Sequence, residues 1–334
     1  QFVLVSPASA GREAMHLMIR AKGTSGQLPD LLAILTDILL EPNLSNRQKF
    51  KQLVLEEKVA IEETVLGSGH SIASGRLAAM DNTASWLSER LSGLSYLTFL
   101  RGLVEEVERD WPAVQRRLER IQRLVVGRRG LALNVTADRG LMGQFRPLLG
   151  RFVAGLPGAE AERQVYEGKL QLVDEAIIIP TQVNYMAKGG NLYEAGYEYH
   201  GSVNVISKHL GLAHLWDTVR VQGGAYGAWC QFDRLTGGFS YGSYRDPNIL
   251  RTLEAFDATP DFLKALDLDD EALKRAIIGA IGDYDQYSLP DARGYTAFAR
   301  WLLGVSEGDR QRTRDEILST GRGHFRAFGE TLEA

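Results

Sequence analysis

Two parts of this chain repeat the same order of structural elements, and this repetition constrains the fold more than any other sequence feature. An apolar, strand-like run carries Ala-Lys-Gly at 18–23, and a similar run carries it again at 185–190. An apolar run, an aspartate and an amphipathic helix follow one another at 131–149 and again at 238–256. A repeated unit of strands and helices buries its apolar faces within each copy. The sequence therefore predicts two copies of one α+β unit, the first with a longer helical insert.

Apolar periodicity and turn residues place the individual helices and strands. Ser45 begins a capping-box pattern and predicts the start of a long helix. The apolar run at 130–138 predicts a strand, and two apolar runs joined through "RLTG" predict a β-hairpin over 227–244. The Asp-Pro pair at 246–247 is expected to cap the helix that follows this hairpin.

The length of the chain, 334 residues, suggests about two domains. The best candidate for a linker is the stretch of small and polar residues at 154–164. We therefore expect a first domain at 1–155, with a helical insert at about 70–128, and a second domain at 156–334. The first residue is not methionine, and the chain is expected to be a piece of a longer protein, truncated on its N-terminal side.

The charge and the distribution of apolar residues argue against two classes of partner. The net charge is −4, so neither nucleic acid nor an anionic membrane surface is favoured. No apolar run approaches the roughly 20 residues that a membrane span requires. The first residues also lack the basic region of a signal peptide.

The sequence contains no complete catalytic constellation. Its six histidines include no His-x-x-x-His or His-x-x-Glu-His spacing, so no helix presents two imidazoles to one zinc ion. The motifs of serine hydrolases, P-loops and dinucleotide-binding strands are also missing. The single cysteine, Cys230, excludes an intrachain disulfide and is interpreted as a core residue. His70 keeps two possible roles, a structural position near a helix start and a contact to a substrate.

Residues 219–232, "VRVQGGAYGAWCQF", form the most unusual stretch of the chain. Three glycines surround Tyr226, which follows Arg220 by six residues. Glycine beside a strand is destabilising and marks a bend, a bulge or a close approach by another backbone. From the residues alone, two interpretations stay open. The stretch is either a turn with a boundary tyrosine and an ion-paired arginine, or an edge that contacts a substrate.

The segment 215–257, "LWDTVRVQGGAYGAWCQFDRLTGGFSYGSYRDPNILRTLEAFD", resembles the C-terminal half of the pitrilysin/insulinase-type zinc metallopeptidases, and most of all their presequence-protease subfamily. The segments 182–210 and 18–50 resemble other parts of the same half. The resemblance implies two halves that close around an unstructured peptide. Each half has two homologous α+β domains, each a mainly antiparallel sheet packed with helices, as in the mitochondrial processing peptidases. This chain would be the third and fourth domains.

The resemblance also implies a division of the chemistry between the two halves. In this family an inverted His-x-x-Glu-His motif in the N-terminal half binds zinc, and its glutamate activates the zinc-bound water. The motif is absent here, so this chain is expected to bind no metal and to be inactive alone. The C-terminal half contributes an arginine and a tyrosine across the cleft, and the matching residues are Arg220 and Tyr226. A phenol or guanidinium donor on the substrate carbonyl stabilises the transition state by roughly 2–4 kcal/mol.

Further substrate contacts are expected near this pair. Gly223 and Gly224 would let the substrate backbone come close. Tyr244 and Arg245 are candidates to line the cleft, and ordinary strand and cap positions stay open for both. For a second set of residues, a cleft position and an ordinary strand or turn position both stay open. That set consists of Tyr241 and three residues within 196–201: Tyr197, Tyr199, His200.

The sequence thus predicts the C-terminal, non-zinc-binding half of a metalloendopeptidase that degrades short unstructured peptides in a closed chamber. Its expected partners are peptide substrates and the N-terminal catalytic half of the same polypeptide, which holds the zinc. The compartment stays open, being cytoplasmic for a bacterial source and an organellar matrix for a eukaryotic one. One alternative is a natural zinc-free partner subunit or scaffold of the same fold. Another is an unrelated binding protein.

Overall fold

The computed structural model describes residues 2–6, 14–158 and 167–333. Most of these residues are helical, and their strands form one two-stranded and one three-stranded antiparallel sheet. The expected α+β class is confirmed. Residues 159–164 of the expected linker lie outside the described residues, and the division of the chain at 155/156 stays a proposal. None of the described helices combines the length and the apolar character that crossing a bilayer requires.

The first part of the chain is a hairpin followed by a series of helices. Strand β1 (Phe2–Ser6) pairs with β2 (Ala14–Met18), with Phe2 opposite Met18. A short 3₁₀ turn at Ser25–Gln27 leads into the first helix. The helices are α1 (Leu28–Leu40), α2 (Arg47–Gly67), α3 (Gly69–Asp81), α4 (Thr83–Ser92), α5 (Leu94–Arg109), α6 (Trp111–Val125) and α7 (Arg139–Gly155).

The second part contains the three-stranded sheet. Strands β3 (Asn184–Asn191), β4 (Gly227–Phe232) and β5 (Gly238–Asp246) lie in the order β3-β5-β4. The β4–β5 pair is the predicted hairpin. A π-helix at Trp216–Gln222 precedes β4. The remaining helices are α8 (Ser202–Leu212), α9 (Leu250–Asp257), α10 (Thr259–Ala265), α11 (Asp270–Tyr284), α12 (Pro290–Leu302), α13 (Glu307–Leu318) and α14 (Arg322–Glu333).

The main apolar core lies between this sheet and the helices that follow it. Tyr241 of β5 stacks on Phe256 of α9 with ring centroids 5.0 Å apart. Phe239 meets Phe328 of α14 edge to face at 5.5 Å. Leu210 of α8 is fully buried in the same cluster. These contacts pack one face of the sheet against the helices. They therefore fix the position of β4 and of the π-helix before it.

Two predictions about local structure in the first part are wrong. Residues 130–138 form no strand, because no described segment pairs with them, and a strand needs a neighbour for its backbone hydrogen bonds. The capping box at Ser45 does not form either. Asn46 caps α2 instead, by accepting the N–H of Lys49 at 3.0 Å. Both residues are good N-caps, and local preference alone does not separate neighbouring candidates.

The predicted helix cap at Asp246 is also wrong. Asp246 is the last residue of β5, it is fully buried, and α9 begins only at Leu250. Its carboxylate accepts the Thr252 hydroxyl at 2.8 Å and the Asn248 N–H at 2.9 Å. The carboxylate therefore closes the turn after β5 and fastens that turn to α9, while Pro247 lies in the turn itself.

Candidate functional site

A chain reversal between the π-helix and β4 brings Arg220 and Tyr226 together. The Gly224 N–H donates to the Arg220 carbonyl at 2.9 Å, and the Ala225 N–H donates to the Val219 carbonyl at 3.1 Å. This pattern is a Schellman cap widened by one residue, as expected at the end of a π-helix. Gly224 has φ +82°, a conformation that disfavours any residue with a Cβ. The cap therefore depends on this glycine.

Gly223 is required for a different reason. Its φ of −82° suits any residue, but a Cβ there would overlap the Val219 carbonyl oxygen. Its own carbonyl accepts a hydrogen bond from the Asn248 side chain at 2.6 Å. In contrast, a Cβ on Gly227 would meet no atom within 4 Å. The reversal alone thus explains Gly223 and Gly224, and their approach to a substrate backbone stays a prediction.

Arg220 and Tyr226 lie side by side at this reversal. The Arg220 guanidinium is 4.1 Å from the centroid of the Trp216 ring and 5.6 Å from that of the Tyr226 ring. Within the described parts of the chain, Arg220 forms no ion pair and the Tyr226 hydroxyl forms no hydrogen bond. Tyr226 is 64% exposed. The guanidinium is thus held by aromatic faces, and both side chains keep free donors.

The pairing of β4 with β5 sets Tyr244 opposite Gly227 and so beside this pair, and a β-bulge against β3 lies at Tyr244 and Arg245. At this bulge a single residue of β3, Tyr185, lies opposite two residues of β5, Tyr244 and Arg245. Arg245 has φ +47°, which is uncommon for a residue with a side chain. The Tyr226 N–H donates to the Tyr244 carbonyl at 3.1 Å, and the two rings meet edge to face at 5.7 Å. The structure therefore brings Tyr244 to the pair, and it leaves Arg245 exposed next to it.

An aromatic cluster joins the site to the first part of the chain. The cluster consists of His70, Tyr185, Tyr226, Trp229 and Tyr244. The His70 ring is 4.9 Å from the Tyr244 ring and 5.4 Å from the Trp229 ring, and it is nearly perpendicular to both. The Tyr185 and Tyr244 hydroxyls donate to the last two carbonyls of α2, at 2.9 Å and 3.4 Å. These contacts hold the α2–α3 junction against the sheet.

His70 is the member of the cluster that sequence reasoning leaves without a defined role. Its Nδ1 atom is buried and has no hydrogen-bond partner among the described residues. Gly69 allows the close packing, because a Cβ there would overlap the Tyr185 ring. Gly69, directly before His70, is the feature of the sequence that could have indicated this close packing. The aromatic partners of His70 are distant in the chain, so no local pattern indicates them.

The His70 imidazole is expected to make the protein less stable in mild acid. Burial lowers the pKa of His70 below its usual value of 6.5. Between the folded and unfolded pKa values the unfolded chain binds more protons, so stability falls as pH decreases through this window. Unfolding by urea at about pH 7.5 and about pH 5.5 measures this loss. His70→Gln should lose less stability than the wild type between these pH values.

His209 sets the background for this measurement. Burial lowers the pKa of His209 as well, so His209 contributes a loss of the same sign in both proteins. The difference between the wild type and His70→Gln in this loss of stability is therefore the contribution of His70. An equal loss of stability in the two proteins would contradict the prediction.

The residues that the sequence leaves open lie elsewhere. Tyr241 is 7% exposed and belongs to the core, where burial raises its pKa. Tyr197 and Tyr199 pack against Phe232, at the other end of β4, and burial raises the pKa of Tyr197 to about 12. His200 stacks on a second histidine at 4.7 Å. The structure does not bring this set to the Arg220–Tyr226 pair.

Cys230 is a buried core residue, as predicted. Its thiol donates to the Ser207 carbonyl, and burial raises its pKa to about 12. Across 2–6, 14–158 and 167–333, no three His, Cys, Asp or Glu side chains are arranged to hold a metal ion.

Comparison with known proteins gives two matches to family profiles. Residues 2–103 match a profile described as associated with the peptidases of family M16, subfamily C, and residues 174–334 match "PreP C-terminal domain". The second profile covers the π-helix, the reversal and the hairpin, and the first covers the α2–α3 junction.

Individual relatives agree with these profiles. The chain is 46% identical over 318 residues to presequence protease 1, chloroplastic/mitochondrial, of Arabidopsis thaliana, covering 95% of this chain and 29% of that protein. It is 25% identical to the mitochondrial presequence protease of Aspergillus oryzae, covering 94% and 31%. A crystal structure of a protease from Helicobacter pylori matches with a TM-score of 0.56 and 13% identity over 92% of this chain and 75% of that one, which is a likeness of fold alone. The chain thus spans about a third of the length of these presequence proteases.

Proposed function

Because this chain belongs to the M16 peptidases and corresponds to the C-terminal part of a presequence protease, we propose that it is the substrate-contacting half of a peptidase that degrades short unstructured peptides. The upstream part of the same polypeptide is its proposed partner. The two parts would enclose the peptide between them.

One observation carries the proposal. Arg220 lies near the end of the π-helix and Tyr226 lies just before β4. The reversal between them brings the two side chains next to each other, and within the described residues their donors are free. Two structural glycines and the Asn248 side chain hold this arrangement. Among the described residues, the half-buried Arg220 has no ion pair and the exposed Tyr226 hydroxyl has no hydrogen bond. Such polar groups contribute little to folding, and their placement on a rigid reversal favours a role in binding.

The chemistry of the pair suits a peptide carbonyl. A guanidinium and a phenol hydroxyl both donate hydrogen bonds, and they would bind the carbonyl oxygen on which negative charge develops during hydrolysis. Donors that are already fixed need no reorganisation when that charge appears. The Trp216 ring, which supports the guanidinium, and the Tyr244 carbonyl, which anchors the Tyr226 backbone, provide this rigidity.

The family implies a zinc ion in the full enzyme, and the described residues of this chain do not fit one. We assign the metal, the base and the attacking water to the upstream part of the polypeptide. The Arabidopsis relative is chloroplastic or mitochondrial by name. For a eukaryotic source we propose an organellar matrix, and for a bacterial source the cytoplasm.

The test is a comparison of three proteins on a quenched fluorescent peptide. These are the intact polypeptide, this chain alone and the upstream part alone. We expect hydrolysis by the intact polypeptide, its loss with a zinc chelator, and no hydrolysis by this chain. Hydrolysis by this chain alone, or an intact polypeptide without peptidase activity, would overturn the proposal.

A further inference from the structure

Strand β4 has a free edge. It pairs with β5 on one side, and no described segment pairs with it on the other. The Asp233 N–H donates to the Gly238 carbonyl of β5 at 2.8 Å. Backbone groups alternate between the two sides of a strand, so Ala228, Cys230 and Phe232 direct theirs to the free side. Three residues thus offer unpaired N–H and carbonyl groups there.

Strand β4 itself carries none of the residues that usually protect an exposed strand edge, and the charges of the groove beside it, Lys208 and Asp283, pair with each other at 2.6 Å. Natural proteins block such edges with charged side chains, proline or a covering element. The sequence of β4, "GAWCQF", contains neither a charge nor a proline. Its N-terminal neighbour is Tyr226, and its edge faces an open groove. An unblocked edge of this kind is a ready template for another strand.

A groove of about 510 Å³ runs along this edge, between β4 and α8. Its apolar lining includes Leu212, which is 65% exposed, and Trp216, which is 44% exposed. Ser207 also lines it, with a buried hydroxyl that has no hydrogen-bond partner among the described residues. Trp216 is the same side chain that supports the Arg220 guanidinium. The groove and the Arg220–Tyr226 pair therefore share this side chain.

We propose that an extended peptide adds to the free edge of β4 as a fourth strand, and that this peptide is the substrate. The inference rests on the proposed function and specifies how the substrate backbone is held. Backbone hydrogen bonds supply affinity without regard to sequence, and alternate side chains enter flanking pockets. Leu212 and Trp216 favour apolar side chains at alternate positions of the peptide. A peptide that is already folded offers no free strand, so the edge selects unstructured substrates.

The matched pair Ala228→Pro and Ala228→Val tests the edge. Proline removes an outward N–H and is tolerated at strand edges, whereas valine keeps the N–H and changes only the side chain. Binding of a fluorescein-labelled peptide to the intact polypeptide is measured by fluorescence anisotropy, with a chelator present to stop hydrolysis. We expect Kd to rise roughly fivefold to tenfold in Ala228→Pro and less than about twofold in Ala228→Val. Equal Kd values in the wild type and a folded Ala228→Pro would overturn the proposal.

Changes in the peptide give a second test that does not depend on the folding of a variant. Peptides that carry a single backbone N-methyl group lose one donor each. We expect weakened binding at every second position, following the alternation of a strand. Equal binding at all positions would overturn the proposal. A dimer seen by sedimentation would also overturn the proposal if Ala228→Pro abolished the dimer and left peptide binding unchanged. The edge would then pair with a second copy of the chain and not with the peptide.

These readouts separate the two proposals. Binding with the alternating pattern, in an intact polypeptide that hydrolyses nothing, supports the edge and contradicts the proposed peptidase function. Hydrolysis with unchanged Kd values supports the function and contradicts the edge.

Discussion

Replacing Tyr226 with phenylalanine in the intact polypeptide is expected to lower kcat roughly 100- to 1,000-fold, with little change in KM. The phenol hydroxyl is the donor proposed to bind the carbonyl oxygen as its negative charge develops, so its loss affects the transition state more than the bound substrate. The hydroxyl forms no hydrogen bond within the described residues, and the ring is 64% exposed. Thermal stability should therefore stay close to that of the wild type. Steady-state kinetics on a quenched peptide measure the effect.

Tyr287→Phe is the matched control for this variant. Tyr287 is 81% exposed and lies in the segment between α11 and α12, outside the site. The same loss of a hydroxyl there should leave kcat and KM unchanged. Unchanged kcat in Tyr226→Phe would reject the assigned role. A large fall in its melting temperature would instead mark the hydroxyl as structural.

Replacing Gly223 with alanine is expected to destabilise the protein by roughly 1–3 kcal/mol and to remove most peptidase activity. The added Cβ would overlap the Val219 carbonyl oxygen, which accepts the Ala225 N–H in the cap. The backbone must shift to relieve the overlap, and Arg220 and Tyr226 lie on opposite sides of that shift. Since a displacement of about 1 Å can lower the rate of a positioned reaction about 100-fold, the loss of activity should exceed the loss of folded protein.

Gly227→Ala provides the comparison for stability. A Cβ on Gly227 meets nothing within 4 Å, and its φ is not positive, so alanine should be neutral to mildly stabilising. Urea unfolding of both variants, with activity measured where the protein is fully folded, separates the two effects. Full stability and activity in Gly223→Ala would show that the reversal does not need this glycine.

The three glycines around Tyr226 show how far the sequence alone predicts this site. The sequence marks Gly223, Gly224 and Gly227 as unusual, and it allows either a turn or a substrate contact. The structure separates them, since Gly224 has a positive φ, Gly223 lacks room for a Cβ, and Gly227 has neither constraint. Whether a Cβ fits depends on the positions of the neighbouring atoms, and the spacing of residues in the sequence does not give those positions.

The predicted strand at 130–138, which does not form, shows where a local pattern fails. Its apolar residues satisfy the composition of a strand, but hydrogen-bond partners come from another part of the chain, and none of the described segments supplies them. Tyr241 and Tyr244 show how far a local pattern does extend. They are three residues apart, so simple alternation already places them on opposite faces of β5. The register that sets Tyr244 opposite Gly227, and so against Tyr226, comes from pairing with β4.

The sequence by itself determined the α+β class, the β4–β5 hairpin, most helices and the family, because periodicity, turn residues and the 215–257 segment are local properties. Only the tertiary structure decided that Arg220 and Tyr226 are neighbours whose donors have no partner among the described residues. It also decided that His70 packs in their aromatic cluster. It also decided that β4 keeps an edge with which no described segment pairs. These features depend on contacts between residues distant in the chain. Such contacts form only when the apolar core brings α3, the π-helix and the sheet together.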